Sequence, residues 1–140
     1  MTIPALNYLA VLVAGVLIFM LGGLWYSPVL FAKPWMAQMG KTEADFKAHA
    51  AGTNMAANYG AVFLCGLITA WALAVVIYGL NATTAVAGAS VAALCWLGFA
   101  GVTSFGTSMF SMEPRGLWMI NTMYNLVAFV IAGTVLALWR

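Results

Sequence analysis

Asn121 and Asn125 stand four residues apart in an apolar stretch, with Thr122 and Tyr124 beside them. On a helix that spacing puts both amides on one face, and a primary amide in hydrocarbon must find hydrogen-bond partners. Two uses are open to such a face. It can line a site for a small polar solute, or it can bond a neighbouring helix and fix the packing of a membrane bundle. Thr103, Ser104, Thr107 and Ser108 set hydroxyls along the end of the preceding apolar run. Ser104, Thr107, Ser108, Asn121 and Asn125 could thus line one small polar cavity. Equally, each hydroxyl could bond the carbonyl one turn back on its own helix.

A third group is charged. Glu113 and Arg115 flank Pro114, and Lys33 is expected at the same depth. A boundary cluster of Lys33, Glu113 and Arg115 could hold an anionic headgroup or gate a pore. Its plainer use is topology and a solvated ion pair, which contributes little.

The absences narrow the chemistry. No acidic or basic residue lies deep in an apolar run, which removes the usual means of proton coupling. No histidine or carboxylate is placed to activate a nucleophile within those runs, and no phosphate loop or metal constellation occurs. Cys65 and Cys95 lack a CxxC spacing and read as small apolar packers. His49 is alone on a short polar segment. The sequence predicts no enzyme, no catalytic residue, no cofactor and no metal.

The elements that must position these residues follow from composition. Of the 140 residues, 65% are hydrophobic and 6% charged, and the mean hydropathy is +1.01. A soluble domain carries about 25% charged residues to solvate its surface, so most of this surface faces something other than water. A net charge of +2 is too small to argue for nucleic acid. At about 20 residues per crossing the length allows four spans. The first apolar run is long and has no basic region before it, so it reads as an uncleaved span. The expected fold is all-α, an integral membrane four-helix bundle forming a single domain over 1–140. Its spans run from about 4–26, 56–80, 84–108 and 116–139.

The connection 27–55 is the extended polar part. Pro28 and Pro34 restrain Ser27 and Lys33 from helical geometry, predicting a bend or break. Phe31, Trp35 and Met36 are apolar enough to lie in the membrane interface. Thr42-Glu43-Ala44-Asp45 has the form of a capping box, predicting a short interfacial helix from Glu43 to about Ala51. Asn81-Ala82-Thr83 reads as the turn after span two. Span three is longer than one crossing needs, so it tilts or ends near Ser104. Gly66-Ala70-Ala74 and Ala85-Ala89-Ala93 form small-residue stripes that invite close helix approach.

Lys33, Lys41, Lys47 and Arg115, four of the five basic residues, fall in the two connections on one side. That side is expected to be cytoplasmic, with both termini outside a cell (inner) membrane.

Gly23-Leu24-Trp25-Tyr26-Ser27-Pro28-Val29-Leu30-Phe31-Ala32-Lys33 resembles the GxLWYSPxLFGK signature of the domain-of-unknown-function 1761 (DUF1761) family of small bacterial membrane proteins. Trp25, Tyr26, Ser27, Pro28 and Phe31 carry the match, and Ala32 stands where the pattern has Gly. The run Phe110 to Arg115, and Ile120-Asn121 followed by Tyr124, resemble the family's third connection and last span. Met112 departs from the commoner Leu-Phe-Glu approach to Glu113. The resemblance covers essentially the whole chain and implies four membrane helices, with no activity attached.

Together these observations predict a non-enzymatic inner-membrane protein acting through helix packing, as a homo-oligomer or as an accessory subunit of a larger complex. A small oligomeric channel or facilitator for a neutral or weakly polar solute, lined by Asn121 and Asn125, is the alternative. Anionic lipid binding at Lys33 and Arg115 is the third. Membrane lipids are the expected surroundings in each case.

Overall fold

Three of the four apolar runs open where a side chain satisfies the first helical N–H groups; the last opens at Pro114 without such a cap. Asn7 Oδ1 accepts from the Leu9 and Ala10 N–H groups at 3.1 Å. Asn54 Oδ1 takes the Ala57 N–H at 3.1 Å, and Thr84 Oγ1 takes that of Ala87 at 3.1 Å. Such caps occupy donors that have no intrahelical partner. The computed structural model describes residues 4–140, and their regular elements are all helical. In order they are α1 (Tyr8–Trp25), α2 (Ala32–Gln38), α3 (Glu43–Gly52), α4 (Met55–Gly79), α5 (Ala85–Cys95), a π-helical stretch Trp96–Gly101, α6 (Val102–Phe110) and α7 (Arg115–Leu138). Four units are long and apolar enough to cross a membrane: α1, α4, the continuous helix Ala85–Phe110, and α7. The fold is therefore an all-α helical membrane bundle.

The turn after α4 is a left-handed cap. Asn81 adopts φ 53°, its N–H donates to the Tyr78 carbonyl at 3.1 Å, and the Ala82 N–H reaches the Ile77 carbonyl at 3.0 Å. Asparagine tolerates this geometry better than most residues, and the two bonds satisfy carbonyls at the helix end. Arg140 closes the same end of the bundle. Its guanidinium lies over the Tyr78 ring, 4.6 Å from the centroid, and donates to the Tyr78 carbonyl at 3.2 Å.

The connection between α1 and α4 differs from its expected form. The chain breaks at Tyr26–Phe31, where Ser27 Oγ donates to the Leu24 carbonyl at 2.7 Å and the Phe31 N–H returns to Trp25 at 3.0 Å. Lys33 and Pro34 do not break it a second time. They sit in the first turn of α2, where a proline's missing N–H has no intrahelical acceptor to lose. Two short helices thus occupy the connection where the sequence suggested one. The capping box forms at the second: Asp45 Oδ2 accepts from the Thr42 N–H at 2.7 Å while Thr42 Oγ1 accepts from the Asp45 N–H at 3.3 Å.

Packing within the bundle centres on α7, which touches α1, α4 and α5. In hydrocarbon there is little hydrophobic drive between helices, so close van der Waals contact through small residues has to hold them. Gly66 lies against the Gly15 carbonyl and Ile18 across the α1/α4 seam, and Gly88 against Gly133 and Ala137 across α5/α7. Gly66, Ala70 and Ala74 are all buried inside the chain. The stripe that suggested contact with another subunit is used within the fold. On α5 the buried pair is Gly88 and Ala92, while Ala85, Ala89 and Ala93 are only half-buried.

The Ala85–Phe110 helix is divided by its π-helical stretch, in which Gly101 packs against the Trp96 indole. Before it, α5 lies hard on α7; beyond it, α6 stands off from α7 and a cleft opens between them. A π-helical insertion re-aims the following turns of a helix and is frequent at functional sites.

Candidate functional site

The signature residues at the end of α1 serve as a latch. Trp25 Nε1 donates to the Ile120 carbonyl at 3.1 Å, and the Tyr26 hydroxyl donates to Asn121 Oδ1 at 2.9 Å. One turn deeper, the Tyr124 hydroxyl donates to the Ile18 carbonyl at 3.2 Å, in the space left by the missing side chain of Gly22. Aromatic rings extend the latch outward. Trp25 meets Phe31 at 4.7 Å between centroids, Tyr26 meets Trp35 at 5.2 Å, and Trp35 meets Phe46 at 5.2 Å. Ser27 and Pro28 form the turn that lets these rings face one another. The two family-like motifs are thus one physical contact, with α2, α3 and α7 joined through the end of α1.

On the other side of α7 lies an open cleft of about 570 Å³. Thr103, Ser104, Thr107 and Ser108 of α6 form one wall; Trp118, Asn121, Thr122 and Asn125 of α7 form the other. Glu113 stands at its end, in the short connection between these helices. The structure brings together the hydroxyl cluster and the asparagine pair. Ser108 and Thr122 are buried, at 9% and 3% exposure, so the cleft floor is polar as well as its rim.

Each α6 hydroxyl also bonds its own helix. Thr103 donates to Phe99 at 2.7 Å, Ser104 to Gly101 at 3.0 Å, Thr107 to Thr103 at 3.1 Å and Ser108 to Phe105 at 2.8 Å, all to carbonyl oxygens. Asn125 Nδ2 donates to the Asn121 carbonyl at 3.2 Å, and Trp118 Nε1 to Ser104 Oγ at 3.1 Å. Carbonyls can only accept, so these hydroxyl protons point into the helix and the oxygen lone pairs remain. The two uses considered for the polar residues coexist: they satisfy their own backbone and still line a cleft.

Lys33, Glu113 and Arg115 make no ion pair within 4.0 Å among the described residues. Lys33 is exposed in the first turn of α2, Arg115 is exposed at the start of α7, and only Glu113 lines the cleft. Among the described residues the ion pair within 4.0 Å is Lys47–Glu43, at 2.8 Å on α3. Trp118 is the polar lining residue that sequence reasoning missed, and Ala100 the apolar one. The signal for Trp118 was its position three before Asn121, which puts it on the asparagine face.

A family model described as a protein of unknown function, DUF1761, matches residues 9–137. No curated protein and no solved structure matches the chain.

Proposed function

The chain belongs to the DUF1761 family of proteins of unknown function, and from that premise we propose that it is a non-enzymatic membrane protein that binds a small polar group in the α6/α7 cleft. The observation that carries this reading is the cleft of about 570 Å³ walled by hydroxyls, two amides and one carboxylate. Polar surface exposed beside hydrocarbon is unfavourable unless water or a ligand meets it. A permanent cavity of this kind therefore has a use beyond packing. The polar lining ends at Asn125, and farther along α7 the Gly88/Gly133 seam brings α5 hard against it. One chain therefore supplies a binding cleft, and a path across the bilayer would need a second copy or a change of shape. With four of five basic residues on the connections, the cleft opens toward the cytoplasmic face of the inner membrane and the termini lie outside.

Assembly through small-residue stripes keeps only part of its motive: Gly66, Ala70 and Ala74 are covered by the chain itself, while Ala85, Ala89 and Ala93 stay half-buried. Anionic lipid at Lys33 and Arg115 is likewise less supported than the cleft, since neither residue lines a shared site.

The test is native mass spectrometry of protein released from its own membranes, comparing the wild type with Thr107→Val/Asn125→Leu. A reproducible small mass on the wild type that is lost from the folded double variant supports the reading. A bare wild type, or a mass held equally by both proteins, overturns it.

A further inference from the structure

The hydrogen-bond inventory of the cleft is lopsided. Four α6 hydroxyls donate inward to carbonyls, and one Asn125 amide hydrogen and the Trp118 indole are also engaged. What faces the cavity is mainly acceptor: hydroxyl lone pairs, the Asn125 oxygen and the Glu113 carboxylate. The lining donors with no protein partner among the described residues are the two Asn121 amide hydrogens, the second Asn125 amide hydrogen and the Thr122 hydroxyl; the Asn121 oxygen accepts from Tyr26. Glu113 is the one carboxylate on the wall, and no lysine, arginine or histidine lines it. An anionic group would meet a like charge and no cationic side chain. An ammonium group brings three donors to these acceptors and a positive charge to the one carboxylate.

The cleft also has an apolar continuation. Asn125 lies on its wall and on that of a second hollow of about 170 Å³, between α4 and α7. Thr69 and Phe129 in turn line both that hollow and a crevice of about 300 Å³ between α4 and α5. The crevice walls are Ile68, Ala72, Leu73, Val76 and Phe99. A polar chamber at the bundle end thus adjoins a lipid-depth groove with a hydrocarbon wall.

We propose that the site takes an amphiphilic amine, with its ammonium head in the α6/α7 cleft against Glu113 and its hydrocarbon chain running past Asn125 to the mouth of the α4/α5 crevice at Thr69 and Phe129. This deepens the cleft reading above and rests on it. Head and tail are recognised separately: the head by acceptors and one counter-charge, the tail by apolar area.

The test uses purified full-length protein in a neutral detergent, titrated with dodecylamine, dodecanoate, dodecanol or ethylamine and read by native mass spectrometry. Dodecylamine is expected to fill one site at concentrations where the other three leave it empty. Glu113→Gln should weaken dodecylamine about tenfold, the factor associated with a hydrogen bond to a charged group. Thr69→Trp, at the crevice mouth, should weaken dodecylamine and leave ethylamine unchanged. Dodecanoate or dodecanol binding as well as the amine, with Glu113→Gln indifferent, overturns the ammonium assignment while leaving the cleft reading intact. Ethylamine binding as tightly as dodecylamine overturns the crevice assignment and identifies a soluble amine as the source. Failure of every probe, together with a wild type that carries no native mass, overturns both readings.

Discussion

The Tyr26 hydroxyl donates to the Asn121 side-chain oxygen across 2.9 Å, joining positions 95 residues apart in the chain. That bond links the end of α1 to the helix that forms one wall of the cleft. Its amide partner atom, Asn121 Nδ2, is left for the cavity, so the same side chain fixes packing with one end and faces a ligand with the other. The rings of Trp35 and Phe46 extend the linkage to α2 and α3.

Tyr26→Phe keeps the ring and removes the donor. Interhelical hydrogen bonds in membrane proteins average about 0.6 kcal/mol, with a maximum near 1.7, so the loss of stability should fall in that range. A double-mutant cycle with Asn121→Leu, followed by denaturant unfolding in mixed micelles, should show that the two changes are not additive. Full additivity would mean that the bond contributes nothing.

Gly88→Ala should be more damaging than its size suggests. A methyl group there would meet the Gly133 carbonyl and the Ala137 side chain, and backbone cannot move aside as a flexible side chain can. Overpacking of this kind costs roughly 1–3 kcal/mol. Gly23→Ala, where nothing lies within 4 Å, is the matched control and should leave thermal stability unchanged. Equal melting temperatures for the two variants would count against the α5/α7 seam.

The α3 helix should lose its start in acid. Bonds from the Thr42 backbone and hydroxyl hold the Asp45 carboxyl below its usual range, and Lys47 does the same to Glu43. A depressed carboxyl contributes stability above its ordinary value, about pH 4, and loses it as pH falls through the folded value. Lys47 is shifted upward by Glu43, so its contribution holds below its ordinary value, about 10.4, and disappears in strong alkali. The protection of amides across Glu43–Gly52, measured as exchange relative to an unfolded peptide at the same pH, should therefore fall below about pH 4, with the spans unaffected. Because these groups are solvent-exposed, high salt should weaken the effect of the ion pair. Protection that stays flat down to pH 2 would contradict the capping assignment.

Much of the architecture was legible because membrane spans declare themselves by length and lack of charge. The Thr42 box was readable as a local pattern. Two features were not. The π-helical stretch Trp96–Gly101 carries no proline and lies in a uniformly apolar run, so nothing in the pattern marks where α6 leaves α7. Small-residue stripes show that a helix can be approached closely, yet they do not say by what. Gly66-Ala70-Ala74 was readable as a packing face, but its partner, α1, depends on the register of the whole bundle. On α5 the buried residues are one position away from the stripe, since alanine and glycine occur on every side of that helix. The cleft itself was half legible: spacing placed Asn121 and Asn125 on one face, while the meeting with Thr103–Ser108 required the geometry of the helix break.

The central claim is that the space between α6 and α7 is a polar chamber reached from the connection side. Thr107→Cys, made in a Cys65→Ala/Cys95→Ala background, tests it directly with a membrane-impermeant maleimide applied separately to each face of sealed vesicles. Labelling from the connection side alone is the predicted result, with the outward-facing Leu94→Cys on α5 unreactive from either side. A Thr107→Cys as inert as Leu94→Cys would mean that the cleft is closed to water, and the account would fail.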